Sequence, residues 1–328
     1  MICEHEDKIF SAQPNGFEQL ALDIFRFQYQ HSPLYRQYVN ALNIVGEQVK
    51  KLQQIPFLPI SLFKTQQVRT TSFEPEVVFE SSGTTGMINS RHEVKSLELY
   101  RKSFMKAFEL FYGSVEDWCI IGLLPSYLER QHSSLVVMVD ELVKRSKHAA
   151  SGFYLYEHDK LQQTLQYLEQ QQQKTLLIGV TFGLLDFAEK YPMPLKHTLV
   201  METGGMKGRR EEMTRQEVHA VLENAFSLQN IHSEYGMTEL LSQAYSPGKG
   251  IFHCPPWMKI MVRDENDPLD VKNSGSGVVN VIDLANIYSC AFIATDDLGN
   301  VATDGSFDIQ GRRDNSDIRG CSLMLSEL

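Results

Sequence analysis

The chain has 328 residues, 42% of them hydrophobic and 22% charged, the balance of an ordinary globular protein with a sizeable core. Its formal net charge of -10 argues against nonspecific binding to nucleic acid or to an anionic membrane surface. No apolar run reaches the roughly 18 residues that a membrane span requires, so no stable membrane insertion is expected.

The first residues, Met1 to Asp7, are acidic and lead into no apolar secretory core, so a cytoplasmic protein is expected. Apolar positions at helical spacing predict helices within 17–54. Ile55-Pro56-Phe57-Leu58-Pro59-Ile60 breaks that pattern, because closely spaced prolines cannot occupy a helix interior, and it reads as an extended crossing segment. Glu76 to Glu80 predicts a short strand, and Lys95 to Tyr112 a helix. Buried strands are expected at Cys119 to Leu124, Thr175 to Val180 and His197 to Met201, with helices at Ser133 to Lys144, Leu161 to Lys174 and Glu211 to Phe226. Trp118 and Trp257 read as core.

Strands alternating with helices imply an α/β architecture with a largely parallel sheet over residues 1–249. From about residue 250 the pattern becomes short strands separated by Asp/Asn/Gly turns, expected at Asp264 to Asp267, Asn273 to Gly277 and Asp296 to Asn300. Residues 250–328 therefore read as a small β-rich subdomain with a C-terminal tail. The five cysteines, Cys3, Cys119, Cys254, Cys290 and Cys321, are far apart and include no CxxC pair. Neither a disulfide framework nor a structural zinc site is expected from them.

The strongest local signal follows the strand at 76–80. Ser81-Ser82-Gly83-Thr84-Thr85-Gly86 places two glycines where the backbone turns tightly and approaches an anion without a Cβ in the way. Its N–H groups and hydroxyls suit phosphate. It is not a Walker A loop, since Met87 stands where Lys would follow. In Glu234-Tyr235-Gly236-Met237-Thr238-Glu239, Tyr235 can stack on a purine, Thr238 can bond a phosphate and Glu239 can help hold Mg2+. Thr295-Asp296-Asp297 supplies carboxylates for ribose hydroxyls. Gly311-Arg312-Arg313-Asp314 supplies guanidinium forks suited to bidentate contacts. Each segment alone is more often a turn or a solvated face; their succession is what points to a nucleotide.

These segments, in this order, resemble the adenylate-forming superfamily of acyl-CoA synthetases, adenylation domains and luciferases. The closer resemblance is to LuxE-type acyl-protein synthetases, the long-chain fatty acid–protein ligases of bacterial luminescence. It rests on Ile55 to Pro59 with Leu62-Phe63-Lys64, Leu124-Pro125-Ser126-Tyr127 with Ser133-Ser134-Leu135, Glu202-Thr203-Gly204-Gly205 with Lys207, and the ending Arg319-Gly320-Cys321. It implies the large domain of an adenylate-forming enzyme, with layered α/β sheets and the β-rich subdomain. It also implies that Ser81 to Gly86 wraps the β- and γ-phosphates, that Gly204 and Gly205 lie against adenine, and that Tyr235, followed by Gly236, flanks the adenine and acyl site. Thr238 touches the α-phosphate, Glu239 serves Mg2+, and Asp297 holds ribose beside Arg312. Tyr127, His132 and Ser133 line the acyl pocket. Asp296 stands where the superfamily usually has Gly, which leaves open which aspartate faces the ribose.

Relatives continue past Gly-Arg-x-Asp into a lid that carries a catalytic Lys; here the sequence runs eight residues past Gly320, and the expectation is that this lid is absent. Lys207, Arg209, Arg312 and Arg313 are candidates for the missing cation, with no basis for choosing among them. The family uses a cysteine near its C-terminus as acyl acceptor, and Cys321 matches it. Nearby guanidinium charge would favour its thiolate. The expectation is ATP- and Mg2+-dependent conversion of a carboxylic acid, by family a long-chain fatty acid, to acyl-AMP. Transfer to Cys321 and hand-over to an acyl-reductase or acyltransferase partner would follow. The rivals are transfer to coenzyme A or a carrier protein, and a nucleotide-binding scaffold without turnover.

Overall fold

A computed structural model describes residues 6, 8–11, 14–81, 88–125, 132–204 and 213–313. Along the chain run helices Phe17–His31 and Pro33–Ala41, β1 (Leu58–Pro59), a short helix Leu62–Thr65, β2 (Val77–Glu80), β3 (Arg91–Val94) and helix Leu97–Tyr112. Then come β4 (Cys119–Leu123), helix Ser134–Ser146, β5 (Gly152–Phe153), helix His158–Gln170, β6 (Thr175–Gly179), helix Thr181–Lys190, β7 (Thr198–Glu202), helix Arg215–Phe226, β8 (His232–Tyr235) and β9 (Ala244–Ser246). The last strands are β10 (Met258–Arg263), β11 (Val271–Lys272), β12 (Gly275–Asp283), β13 (Phe292–Val301) and β14 (Phe307–Arg312).

By internal contacts the chain divides into two compact units. One comprises the described residues of Met1–Ala107, Met237–Ala244 and His253–Asp317; the other comprises those of Phe108–Gly236 and Tyr245–Phe252.

The second unit is built on a sheet in the order β5-β4-β6-β7-β8-β9, in which β4 to β8 pair in parallel. Its central strands β4 and β6 are buried along their whole length, as expected of a parallel sheet covered on both faces. Leu161, Leu165, Leu184, Phe187, Leu222 and Phe226 pack from the flanking helices onto Ile121, Leu123 and Leu177. The helix after β7 begins where Thr214 and Glu217 form a reciprocal capping box, so it starts at Arg215 rather than at Glu211. The Gln-rich helix stops at Gln170, short of Lys174, and Gln172 turns left-handed at φ 54°.

The first unit is dominated by an antiparallel array, β13-β12-β10-β11, with β1 and β14 both pairing with β13. Phe25, Tyr35, Phe57 and Phe292 meet edge-on or stacked beneath it. Gln28 is fully buried; its amide donates to the carbonyls of Asn286 and Ile287 and accepts from Ala291 N. This satisfies backbone groups at the corner between β12 and β13 that burial would otherwise leave unpaired.

Three elements depart from the sequence expectation. The turn expected at Asp296 to Asn300 is the middle of β13, since an irregular register lets the strand carry those turn-forming residues. The strand Arg91–Val94 was not anticipated, because one short polar-apolar run carries little periodicity. The helix Thr181–Lys190 was not anticipated, because its first turns are apolar and buried and its exposed polar residues, Asp186, Glu189 and Lys190, come only toward its end. Trp118 and Trp257 are buried, as expected.

Candidate functional site

The segment Ser81 to Gly86 joins two antiparallel strands, paired from Val77 opposite Val94 to Glu80 opposite Arg91. Of this segment only Ser81 lies within the described residues. Its N–H donates to Ser90 O (3.1 Å) and its Oγ accepts from Ser90 N (2.9 Å), closing the base of the hairpin. Ser82, Gly83, Thr84, Thr85, Gly86, Tyr127, Gly205, Lys207 and Cys321 lie outside the described residues.

In the second unit, the candidate residues sit at the carboxyl ends of parallel strands, the edge at which open α/β sheets bind ligands. Strand order reverses at β4, whose end leads into the segment that carries Tyr127. His132 is exposed, and Ser133 is the N-cap of helix Ser134–Ser146. At the end of β7, the Glu202 carboxylate is buried and accepts from Thr181 Oγ1 (2.5 Å) and from Gly204 N (2.6 Å). Thr203 N and Oγ1 both donate to Gly179 O, and Thr181 N donates to Gly204 O. Gly204 is thus pinned at φ +79°, a conformation that side-chain-bearing residues rarely adopt.

Tyr235 ends β8 and is buried, its ring edge-on to Phe252 at 5.9 Å; the Arg215 guanidinium lies over the other ring, 5.1 Å from the Phe252 centroid. Gly236 is exposed. Beside them stand two carboxyls, Glu202 and Glu234. Burial pushes the Glu234 carboxyl up to about 8, and the charge of Glu202 adds to the effect. At neutral pH Glu234 is therefore largely a carboxylic acid. Ser233 Oγ lies 3.2 Å from His219 Nε2, and burial lowers that imidazole, helped by Arg215 and opposed by Glu202. His232 is half-buried against Tyr112 Oη (3.3 Å), and burial lowers it to about 4.

In the first unit, the Met237–Ala244 segment is held from three sides. The His92 ring on β3 is buried, with Nδ1 2.9 Å from Thr238 O and Nε2 3.0 Å from Ser289 Oγ. A carbonyl can only accept, so Nδ1 carries the proton and Nε2 accepts from the hydroxyl. Burial lowers His92 to about 4, which keeps this tautomer neutral at physiological pH. Asn286 Nδ2 donates to Glu239 O (2.7 Å). Asp283 accepts from Leu241 N, Ser242 N, Ser242 Oγ and Ala285 N; burial lifts its carboxyl to about 6 against the pull of these bonds. Thr238 and Glu239 are thereby fixed through their main chain.

On the antiparallel array, Asp297 and Arg312 are directly paired across β13 and β14, with Arg312 Nε donating to Asp297 Oδ1 at 2.7 Å. Asp297 is buried, while the Arg312 side chain is 41% exposed. Asp296, the preceding residue of β13, is half-buried where Asp297 is buried. The candidate donor for a divalent cation is a single buried carboxylate, Glu239; among the described residues no group of three His, Cys, Asp or Glu side chains could hold one. That donor set fits Mg2+, which binds through one or two carboxylates and leans on substrate phosphates.

Sequence reasoning quoted Glu202 only as part of a motif and passed over Thr181, His92, Asp283 and Arg263. They are buried polar groups within strands, at a strand end or, for Thr181, at a helix start, and no local pattern marked them. The described cysteines are poor nucleophiles. Burial pushes Cys119 up to about 11, and Cys254 and Cys290 each up to about 12.

A family model described as acyl-protein synthetase, LuxE, matches residues 4–328. The chain is 23% identical to a long-chain-fatty-acid–luciferin-component ligase of Vibrio harveyi, over 99% of this chain and 93% of that one. It is 24% identical to the protein of the same name from Aliivibrio fischeri, over 91% and 85%. Among solved structures, an open conformation of 2-hydroxyisobutyryl-CoA ligase in complex with 2-HIB-AMP and CoA superposes with a TM-score of 0.61 at 12% identity, covering 91% of this chain and 70% of that one.

Proposed function

The chain belongs to the LuxE family of acyl-protein synthetases, and from that premise we propose that it converts a long-chain fatty acid to acyl-AMP and then to a thioester on its own Cys321. The fold is that of adenylate-forming ligases, and the enzyme activates an acid by ATP-dependent ligation. The fatty chain is suggested by the names of the relatives.

In the first step, a carboxylate oxygen of the acid attacks the α-phosphorus of ATP. The bond to the bridging oxygen breaks and pyrophosphate leaves. Such a reaction is governed by positioning and charge neutralisation. Ser81 to Gly86 and Thr238 would hold the phosphates. Gly204, Gly205 and Tyr235 would bound the adenine, and Asp297 with Arg312 would hold the ribose. Glu239 would help hold Mg2+, whose charge would ease the departure of pyrophosphate. In the second step the Cys321 thiolate attacks the acyl carbonyl, AMP departs with the electrons of the broken C–O bond, and a thioester remains for a reductase or acyltransferase partner.

The observation that carries the nucleotide half is the Asp297–Arg312 pair, a buried carboxylate oriented by a guanidinium on the neighbouring strand. The acceptor half is supported by the raised pKa of buried Cys119 and Cys290 and of half-buried Cys254, which leaves them nearly devoid of thiolate at neutral pH. ATP–pyrophosphate exchange across straight-chain acids of graded length tests the activation step. Exchange that requires acid and rises with chain length is expected; ATP binding without exchange for any acid would replace this reading with a silent nucleotide-binding scaffold.

A further inference from the structure

The buried Arg263 lies beside the Asp297–Arg312 pair, and the pairing of β12 with β13 breaks at the same place. Val278 faces Leu298 and Asn280 faces Ala294, so Val279 alone stands opposite the stretch Thr295 to Asp297. A bulge of this kind bends the strand and re-aims its side chains. It also displaces main-chain carbonyls from ladder positions, and buried carbonyls need donors.

Arg263, at the end of β10, supplies them. Its side chain is buried, with Nη1 donating to Val279 O (3.0 Å) and to Asn280 Oδ1 (2.6 Å), and Nη2 donating to Thr295 O (2.6 Å). Thr295 Oγ1 donates to Val279 O (2.8 Å) and accepts from Asp297 N (3.1 Å), so the chain of bonds runs from the guanidinium to the main chain of Asp297. Arg313 N is tied to Asp296 O (3.0 Å), which continues the network toward β14. Burial drags Arg263 down to about 10, and the negative charge of Asp296 opposes that shift, so the cation persists at neutral pH.

We propose that Arg263 is a positioning residue for ribose recognition: its fork holds the bulge of β13 open and so aims the Asp297 carboxylate, while Asp296 serves as its counter-charge. The inference rests on the reading of Asp297 as the ribose ligand. It also accounts for a second aspartate where the wider superfamily usually has glycine. A lysine cannot replace the fork, because one ammonium on a flexible stem cannot span two fixed carbonyls with the same geometry.

The test is the preference of the full-length enzyme for ATP over 2′,3′-dideoxy-ATP in acid-dependent pyrophosphate exchange, measured as a ratio of kcat/KM. Hydrogen bonds from the ribose hydroxyls to a carboxylate predict a preference of roughly a hundredfold in the wild type. R263M is expected to reduce this ratio to about tenfold or less, with KM for the acid unchanged, and R263K to give an intermediate ratio. A merely structural role would lower the active fraction and leave the ratio intact. Folded R263M and R263K that both keep the wild-type ratio would overturn the inference; if R263M does not fold, the ratio in R263K decides. A wild type that exchanges with ATP and dideoxy-ATP alike would instead remove Asp297 from the ribose, and this inference with it.

Discussion

The two units hold their candidate residues by opposite means. On the parallel sheet, one buried carboxylate, Glu202, gathers Thr181 Oγ1 and Gly204 N at the end of a strand, and the site is made of turns and strand ends. On the antiparallel array, the important carboxylate lies within a strand, and an internal irregularity braced by Arg263 sets its direction. In the first case flexible backbone is immobilised by a side chain. In the second, regular backbone is deformed and kept deformed. Damage to the parallel edge should therefore appear mainly as lost stability and a loosened turn at Gly204, whereas, given the proposed ribose role of Asp297, damage to the array should appear as lost nucleotide selectivity.

The largest expected effect comes from separating the two aspartates. D297A should raise KM for ATP by roughly a hundredfold, the loss expected when hydrogen bonds to a charged group disappear. D296A, at the half-buried position before Asp297, should change KM for ATP by less than about tenfold. Steady-state exchange kinetics at fixed acid decide it; equal effects from the two variants would dissolve the assignment of one aspartate to each role.

A smaller effect is expected at Glu202. E202A leaves a buried hydroxyl and a partly buried N–H without their acceptor and should cost about 1–3 kcal/mol of stability in urea denaturation. G204A keeps the acceptor but forces a Cβ into φ +79°, which should cost roughly 1–2 kcal/mol although space is available around it. If G204A were neutral while E202A remained costly, the carboxylate would matter for Thr181 rather than for the turn.

The smallest effects are differences in pH dependence, and they have opposite signs at two residues. Glu234 holds its proton to about pH 8 in the folded chain, against an ordinary value of 4.5. The native state thus binds more protons between those limits, and this residue's contribution to stability declines as pH rises from about 4.5 to 8. E234Q should flatten that decline. His92 is neutral down to about pH 4, against an ordinary 6.5, so its contribution grows as pH rises from 4 to 6.5. H92N, which retains a donor for the Thr238 carbonyl, should remove that rise. Denaturation midpoints across pH 4 to 8 measure both slopes, and a variant slope equal to that of the wild type would refute the corresponding assignment.

Much of this was legible in the sequence, for identifiable reasons. The strands at 119–124 and 175–180 announced themselves as continuous apolar runs, and the helix at 97–112 by its period. The segments of Tyr235, Asp297 and Arg312, which carry the proposed nucleotide roles, stood out because they pair unusual residue types at close spacing. Arg263 did not, since an arginine closing the run Met258 to Val262 looks like an ordinary solvated strand end. Its role emerges only when β12 and β13 lose register beside it. His92 was hidden likewise, because its partners Thr238 and Ser289 are far away in the chain. The turn expected at Asp296 to Asn300 failed for the same reason that Arg263 was missed: local turn chemistry was recruited for a bulge.

Whether the activated acyl group ends on Cys321 is tested most directly by intact-mass measurement after incubation with ATP, Mg2+ and a long-chain acid. The wild type should gain one acyl mass per chain, removable by neutral hydroxylamine, while C321S should keep acid-dependent pyrophosphate exchange and gain no stable acyl mass. Undiminished thioester labelling of C321S would contradict the account.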